Sequence, residues 1–305
     1  MRVAAIDCGT NSIRLLVADV SPDGLVDVDR RMEVVRLGEG VDRTGRLGQA
    51  ALDRTFAACR RYAEAIAGHG ATAVRFVATS ASRDASNAAE FTRGVEQIIG
   101  VEPEVVTGLA EADLSFVGAA RSLSGLPAPA LVVDIGGGST EFVLGHRHAQ
   151  QAISVDIGCV RLTERHLRAD PPTREELDAV VRDADDHIAR AGQHVDFASA
   201  ACLVGLAGTV TTMSAIAHNL PQYDSLRIHG STMSAAQVHE VADRLCRMSS
   251  GERAALAVMH PGRADVIAAG SLILSRIVHA VGAAEVVVSE HDILDGIAWS
   301  LLPRG

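Results

Sequence analysis

The feature that most restricts how this chain can fold is a motif that occurs twice. Ile6-Asp7-Cys8-Gly9-Thr10-Asn11-Ser12 lines up, position for position, with Val133-Asp134-Ile135-Gly136-Gly137-Gly138-Ser139. Each copy runs from an apolar stretch into an aspartate, then a turn of glycine and small hydroxyl residues, then a second apolar stretch. A matched leading Asp and trailing Ser are harder to obtain by coincidence than two Gly-rich hairpins. The pattern therefore favours an internal duplication.

The surrounding elements agree. Residues 3–7, 13–20 and 25–37 read as strands, with Pro22-Asp23-Gly24 as a turn. A helix over 49–67 keeps Leu52, Phe56, Cys59, Ala63 and Ile66 at helical spacing and is closed by Gly68 and Gly70. A strand over 73–78, a helix over 87–99, a strand ending at 105–106 and a helix over 111–123 follow. Past residues 124–129 the order restarts, with strands at 130–134, 140–144 and 149–155 and helices at 160–167 and 174–191. A strand at 202–206, more helices and a last strand at 285–288 complete it. Two β-β-β-α-β-α units predict an α/β fold of two domains, 1–124 and 125–305. The final helix, 292–302, is expected to pack back on the first domain. The two Asp-x-Gly turns are expected to face each other across an interdomain cleft.

Composition removes whole classes of function. The formal net charge is −10, against general nucleic-acid binding, which needs a basic face. Aromatics are 3%, too few for base-stacking platforms. No lysine occurs, which rules out a G-x-x-x-x-G-K-[ST] loop, a Schiff-base lysine and the lysine of a protein-kinase strand. Any phosphate must be met by Arg, backbone N–H groups and metal. The five cysteines (Cys8, Cys59, Cys159, Cys202, Cys246) are scattered without a C-x-x-C pair, pointing to buried thiols in a reducing compartment. Asp7 interrupts the first apolar stretch and no run of 18 apolar residues exists, so neither a signal peptide nor a membrane span is expected. The cytoplasm is the expected location.

Glycine and small hydroxyl residues in a turn leave backbone N–H groups pointing one way, and such a concavity binds an anion. Gly9, Thr10, Asn11 and Ser12 form one candidate phosphate site, and Gly136, Gly137, Gly138, Ser139 and Thr140 the other. Asp7 and Asp134, at the base of the turns, would hold a hard cation such as Mg²⁺ through waters, or else fix their own hairpins as Asx turns. Glu111 falls in the first turn of a helix leaving a strand end, where a carboxylate could take a proton from water or merely cap the helix. Arg83, at another strand-to-helix junction, could grip a phosphoryl group. Gly205 to Thr212, with Gly208 and Thr209, forms a further strand–turn–helix junction suited to an anion. Arg263 opens a helix and could pair with Asp265. His229 and His291 read as hydrogen-bonded local residues.

These residues carry a resemblance. Asp7-Cys8-Gly9-Thr10-Asn11-Ser12-x-Arg14, Arg83 with Asn87, Gly108-x-x-Glu111-Ala112 and Asp134-Ile135-Gly136-Gly137-Gly138-Ser139-Thr140-Glu141 resemble the motifs of the exopolyphosphatase / guanosine pentaphosphate phosphohydrolase family. Gly158-Cys159-Val160-Arg161-Leu162, Gly205-x-x-Gly208-Thr209, Gly262-Arg263-Ala264-Asp265 and Ser289-Glu290 continue the match. Thr10 stands where the family usually shows Ser, and Ala110 where it commonly has a second Glu. The resemblance implies two RNase H-like domains of the actin-like, sugar-kinase-like superfold and hydrolysis of a terminal phosphoanhydride. It implies Glu111 as catalytic base, Arg83 and Asp134 as its catalytic partners, and Mg²⁺ or Mn²⁺ held at Asp134 and Asp7. Arg14, Glu141, Gly208 and Thr209 join the phosphate-binding set. Inorganic polyphosphate is the implied substrate, with guanosine pentaphosphate as the alternative, guanosine tetraphosphate as a further ligand, and a homodimer as the assembly. Many members carry additional C-terminal helical domains. This sequence stops at Gly305, so a preference for short or medium polyphosphates is expected. An ATP-dependent small-molecule kinase and a non-catalytic alarmone-binding regulator of the same superfold remain open alternatives.

Overall fold

The structure, a computed structural model, describes residues 1–22, 24–123 and 125–302. Asp23 of the expected Pro22–Gly24 turn and Ser124 of the expected domain connection lie outside the described residues. The helices are α1 (Val41–Thr44), α2 (Gln49–His69), α3 (Ser80–Asp84), α4 (Ala88–Ile99), α5 (Gly108–Ser122), α6 (Cys159–His166), α7 (Arg174–Gly192), α8 (Ala207–Ala217), α9 (Ser225–Ile228), α10 (Ala235–Arg247), α11 (Ser250–Ala254), α12 (Ile267–Val281) and α13 (Ile293–Ser300). The chain divides into two compact units: Met1–Gly118 together with the segment from Ile293, and Ala119–Asp292. The division falls inside α5 and leaves α13 with the first unit. Both units are α/β.

In the first unit β1 (Arg2–Cys8), β2 (Ser12–Ser21), β3 (Gly24–Val34), β4 (Ala73–Ala78) and β5 (Glu104–Val105) form a sheet of order β3-β2-β1-β4-β5. The first three strands run antiparallel, and β4 and β5 extend the sheet in parallel. β1 is apolar on successive residues because both of its faces are covered. Ala4, Ile6 and Cys8 pack with Leu52, Cys59 and Tyr62 of α2, whereas Val3 and Ala5 meet Ile293, Leu294 and Ile297 of α13. Gly296 lets α13 approach α5 closely, since a Cβ there would lie 2.0 Å from the Leu114 carbonyl oxygen. Arg30 on β3 adds a clamp, donating from Nη2 at 2.6 Å to Oδ1 of buried Asp295 and from Nε at 2.7 Å to Asp27. α2 stops at Gly70, in the left-handed region at φ 68°, and Gly68 lies inside the helix.

In the second unit β6 (Ala130–Ile135), β7 (Thr140–Gly145), β8 (Ala149–Val155), β9 (Cys202–Leu206), β10 (Thr232–Ser234) and β11 (Glu285–Val288) take the order β10-β11-β9-β6-β7-β8. Read outward from β6, this repeats the first sheet, with β10 added at the edge. The repeat extends to register. Asp7 faces Arg14 across β1 and β2, and Asp134 faces Glu141 across β6 and β7, at equivalent positions of the two copies. The turn bonds match too, Gly9 N to Ser12 O at 2.9 Å and Gly136 N to Ser139 O at 3.0 Å.

Candidate active site

A trans peptide unit is planar, so its C=O and the next residue's N–H point in opposite directions. In the β6–β7 hairpin the carbonyls are tied from behind by the start of α6. Gly136 O accepts from Cys159 N at 3.0 Å, and Gly137 O accepts from Val160 N and Arg161 N at 2.9 and 3.0 Å. Gly138 O accepts from Arg161 Nε at 2.6 Å. The N–H groups of Gly137, Gly138 and Ser139 are thereby turned to the other side, and among the described residues they meet no acceptor. This is a nest for an anion that needs no formal charge. Gly158 makes the bracing possible. A Cβ there would lie 2.4 Å from both C and O of Gly137 and 2.5 Å from Gly138 N.

The β1–β2 hairpin is built the same way from a different support. Thr10 O accepts from Gly38 N at 2.9 Å, and Asn11 O accepts from Val35 N and Arg36 N at 3.1 and 2.8 Å. The peptide N–H groups of Asn11 and Ser12 are set opposite those carbonyls. The supporting segment is itself strained, with Arg36 held at φ 51°.

Most of the hydroxyls that looked like phosphate donors are turned into the protein. Thr140 Oγ1 donates to Ile157 O at 2.7 Å with the residue fully buried. Thr10 Oγ1 lies 2.8 Å from Ser80 Oγ. Thr209, 4% exposed, is directed at the Cys159 thiol, which burial pushes up to about 11. Its Oγ1 fills the space that a Cβ on Gly270 would need, at 2.5 Å. These three hydroxyls are each engaged by another part of the protein. Glu141, being a carboxylate, would repel phosphate. It is buried on β7, where its Oε1 accepts from Ser154 Oγ at 2.7 Å.

The aspartates diverge despite their equivalence. Asp7 Oδ2 accepts from Arg14 Nη2 at 2.6 Å and Nε at 3.0 Å. That pair ties Asp7 to Arg14 across β1 and β2 through one carboxylate oxygen. At the matching position Asp134 confronts a second carboxylate, Glu141, and directly opposed residues of an antiparallel pair share a face. Both are buried, at 7% and 1% exposure. Mg²⁺ is commonly held by one or two carboxylates, with waters and substrate oxygens completing its shell, so this donor pair fits it. Among the described residues no cluster of three or more Asp, Glu, His or Cys side chains is placed to hold a metal, as a Zn²⁺ site would require.

Glu111 and Arg83, from separate helices, meet. Thr107 opens α5, accepting at Oγ1 from Ala110 N at 3.2 Å. This places Glu111, 8% exposed, in the first turn, near the positive end of the helix dipole. Arg83 Nη1 donates to Val106 O at 3.0 Å and to Glu111 Oε2 at 3.2 Å. Its Nε and Nη2 make no hydrogen bond among the described residues. Asn87, also in the matching motif, is structural: its side chain bonds both N and O of Leu47.

At the β9–α8 junction the guanidinium of Arg263 lies over Gly208, where a Cβ would be 2.2 Å from Cζ. Its Nη1 is 3.5 Å from Gly208 O and from Thr212 Oγ1. Arg263 thus lies against this turn. Ala207, the residue before, is strained at φ 65°. His229 and His291 pack ring edge to face at 4.8 Å, and Glu290 N donates to His229 Nδ1 at 3.3 Å. Gly158, Gly38 and Ser80 are positions supporting the hairpins that sequence reasoning did not single out. Gly158 did stand in a matched motif, but only its approach to Gly137 reveals why.

Two mixed sheets with flanking helices, amide nests at the duplicated turns and a paired Arg–Glu define a phosphate-handling α/β protein. The chain belongs to the Ppx/GppA phosphatase family, whose pattern matches residues 16–305. It is 48% identical to Exopolyphosphatase 2 of Mycobacterium tuberculosis over 98% of both chains. The crystal structure of the Aquifex aeolicus Ppx/GppA family member is 33% identical and has a TM-score of 0.83, covering 98% of this chain and 97% of that one. An exopolyphosphatase from Cytophaga hutchinsonii shares the fold at a TM-score of 0.92 and 24% identity, over 99% and 97% of the two chains.

Proposed function

We propose that this chain is an exopolyphosphatase, releasing orthophosphate from the end of inorganic polyphosphate by attack of water on the terminal phosphorus. The observation that carries the reading is the pair of duplicated hairpins whose carbonyls are tied behind and whose amides are turned outward. The identity to Exopolyphosphatase 2 supports it. Phosphoryl transfer asks the protein mainly for position and charge. Glu111 takes the proton of the attacking water as the new P–O bond forms. The bond to the shortened chain breaks, and its electron pair stays on the departing phosphate oxygen. Arg83 offsets the charge that develops beside Glu111, and the Gly9–Ser12 hairpin and the amides of Gly137, Gly138 and Ser139 are each suited to bind a phosphate group. Asp134 and Glu141 would hold Mg²⁺ or Mn²⁺, which supplies charge neutralisation at phosphate oxygens when bound.

The described cysteines are free thiols and no described helix is long and apolar enough to cross a membrane, which supports a cytoplasmic reading. The assembly we propose is a homodimer. The test is phosphate release from polyphosphates of defined length and from guanosine pentaphosphate, with Mg²⁺ and after EDTA. The expected result is a higher kcat/KM on polyphosphate, loss of turnover in EDTA and recovery on adding Mg²⁺. A higher kcat/KM on guanosine pentaphosphate would transfer the assignment to the 5′-phosphohydrolase reading. Turnover that needs ATP and an acceptor would point to a kinase.

A further inference from the structure

Thr10 is held at three points. Its carbonyl accepts from Gly38 N at 2.9 Å. Its methyl occupies the space above Gly38, where a Cβ would lie 2.3 Å from Thr10 Cγ2. Its hydroxyl lies 2.8 Å from Ser80 Oγ. Both residues are buried, at 6% and 2% exposure, and each hydroxyl is turned to the other. Ser80 opens α3, and Arg83 lies one helical turn further on. From there Arg83 reaches Val106 O and Glu111 Oε2. A helix as short as α3 has no stability of its own, so its placement depends on its anchors. One anchor is the hairpin, through Ser80 to Thr10 and through Thr79 N to Cys8 O at 3.2 Å. The other is Val106 and Glu111.

We infer that Ser80 is a positioning residue: through Thr10 it ties the amides of the first hairpin to Arg83 and Glu111, fixing the distance between bound phosphate and attacking water. The inference rests on the roles proposed above for Arg83 and Glu111. It also accounts for Thr10. The hydroxyl makes the tie, and the methyl fills the gap that Gly38 leaves.

The test compares Thr10→Val, Thr10→Ser, Ser80→Ala, the double variant Thr10→Val/Ser80→Ala and Glu111→Gln, measuring kcat and KM for phosphate release together with Tm. Misplacing reacting groups by an ångström costs up to roughly 10²-fold in rate. Ser80→Ala and Thr10→Val should each lower kcat by roughly ten- to a hundred-fold on that scale, with KM little changed. The double variant should be no worse than either single change, because both remove one interaction. Thr10→Ser should retain kcat, since it keeps the hydroxyl. Should Ser80→Ala unfold, Ser80→Cys keeps the volume with a weaker donor and should show the same kcat loss. Wild-type kcat in Ser80→Ala beside an inactive Glu111→Gln overturns the positioning role alone, as do losses that multiply in the double variant. Full activity in Glu111→Gln overturns the proposed role of Glu111 on which the inference rests.

Discussion

Phosphate release by the Glu111→Gln variant should fall on the order of 10²–10⁴-fold, the usual contribution of a positioned general base. The substitution is nearly isosteric. The amide oxygen can still accept from Arg83 Nη1, which sits 3.2 Å from the carboxylate, but it can no longer take a proton from water. The structural cost should be small. Arg83 is partly solvated, with 26% of its side chain exposed, and partly exposed ion pairs contribute about 0–1 kcal/mol. A large loss of kcat at nearly constant Tm therefore separates catalysis from packing, and unchanged kcat would remove Glu111 from the mechanism. Ala110 strengthens the test, because no adjacent carboxylate precedes Glu111.

Gly158→Ala should be nearly as damaging, from the opposite side of the nest. The new methyl would lie 2.4 Å from the carbon and oxygen of Gly137 and 2.5 Å from Gly138 N. All three are backbone atoms of a hairpin braced at three successive carbonyls, so a side-chain rotation cannot relieve the clash. The hairpin must move, and its three amides lose their common aim. Removing one preorganised donor to a developing anion costs about 10²–10³-fold in kcat, and that is the expected scale. Overpacking adds a stability loss of about 1–3 kcal/mol, readable from a denaturation midpoint. Wild-type kinetics in this variant would mean that the amides of Gly137, Gly138 and Ser139 do not hold the reacting phosphate.

The parts of the fold that could be read from sequence are those whose residues answer to local chemistry. β1 and β6 are covered on both faces, so they appear as unbroken apolar runs, and the glycines that follow mark the turns. The Asp7–Arg14 and Asp134–Glu141 pairings were within reach as well: once Gly9 and Ser12 close a turn, counting outward puts residue 7 opposite 14. That count would have separated the aspartate facing an arginine from the one facing a carboxylate. α3 lacks an apolar period and stayed hidden, and β10 is a short edge strand with no pattern to show. The partners of the hydroxyls were not legible, for a physical reason. Thr10, Thr140 and Thr209 each stand beside a phosphate-type turn, but the groups that claim them, the Ser80 hydroxyl, the Ile157 carbonyl and the Cys159 thiol, come from other elements of the chain. Gly158 likewise acquires its meaning only when the start of α6 is laid against the hairpin.

The most direct measurement is hydrolysis of polyphosphate by the purified chain in H₂¹⁸O, with released orthophosphate analysed by mass. Water attack at the terminal phosphorus predicts one solvent oxygen in each phosphate cleaved from a chain end, with no nucleotide or other acceptor present. Phosphate that appears only when an acceptor is supplied, or that carries no solvent oxygen, would contradict the account.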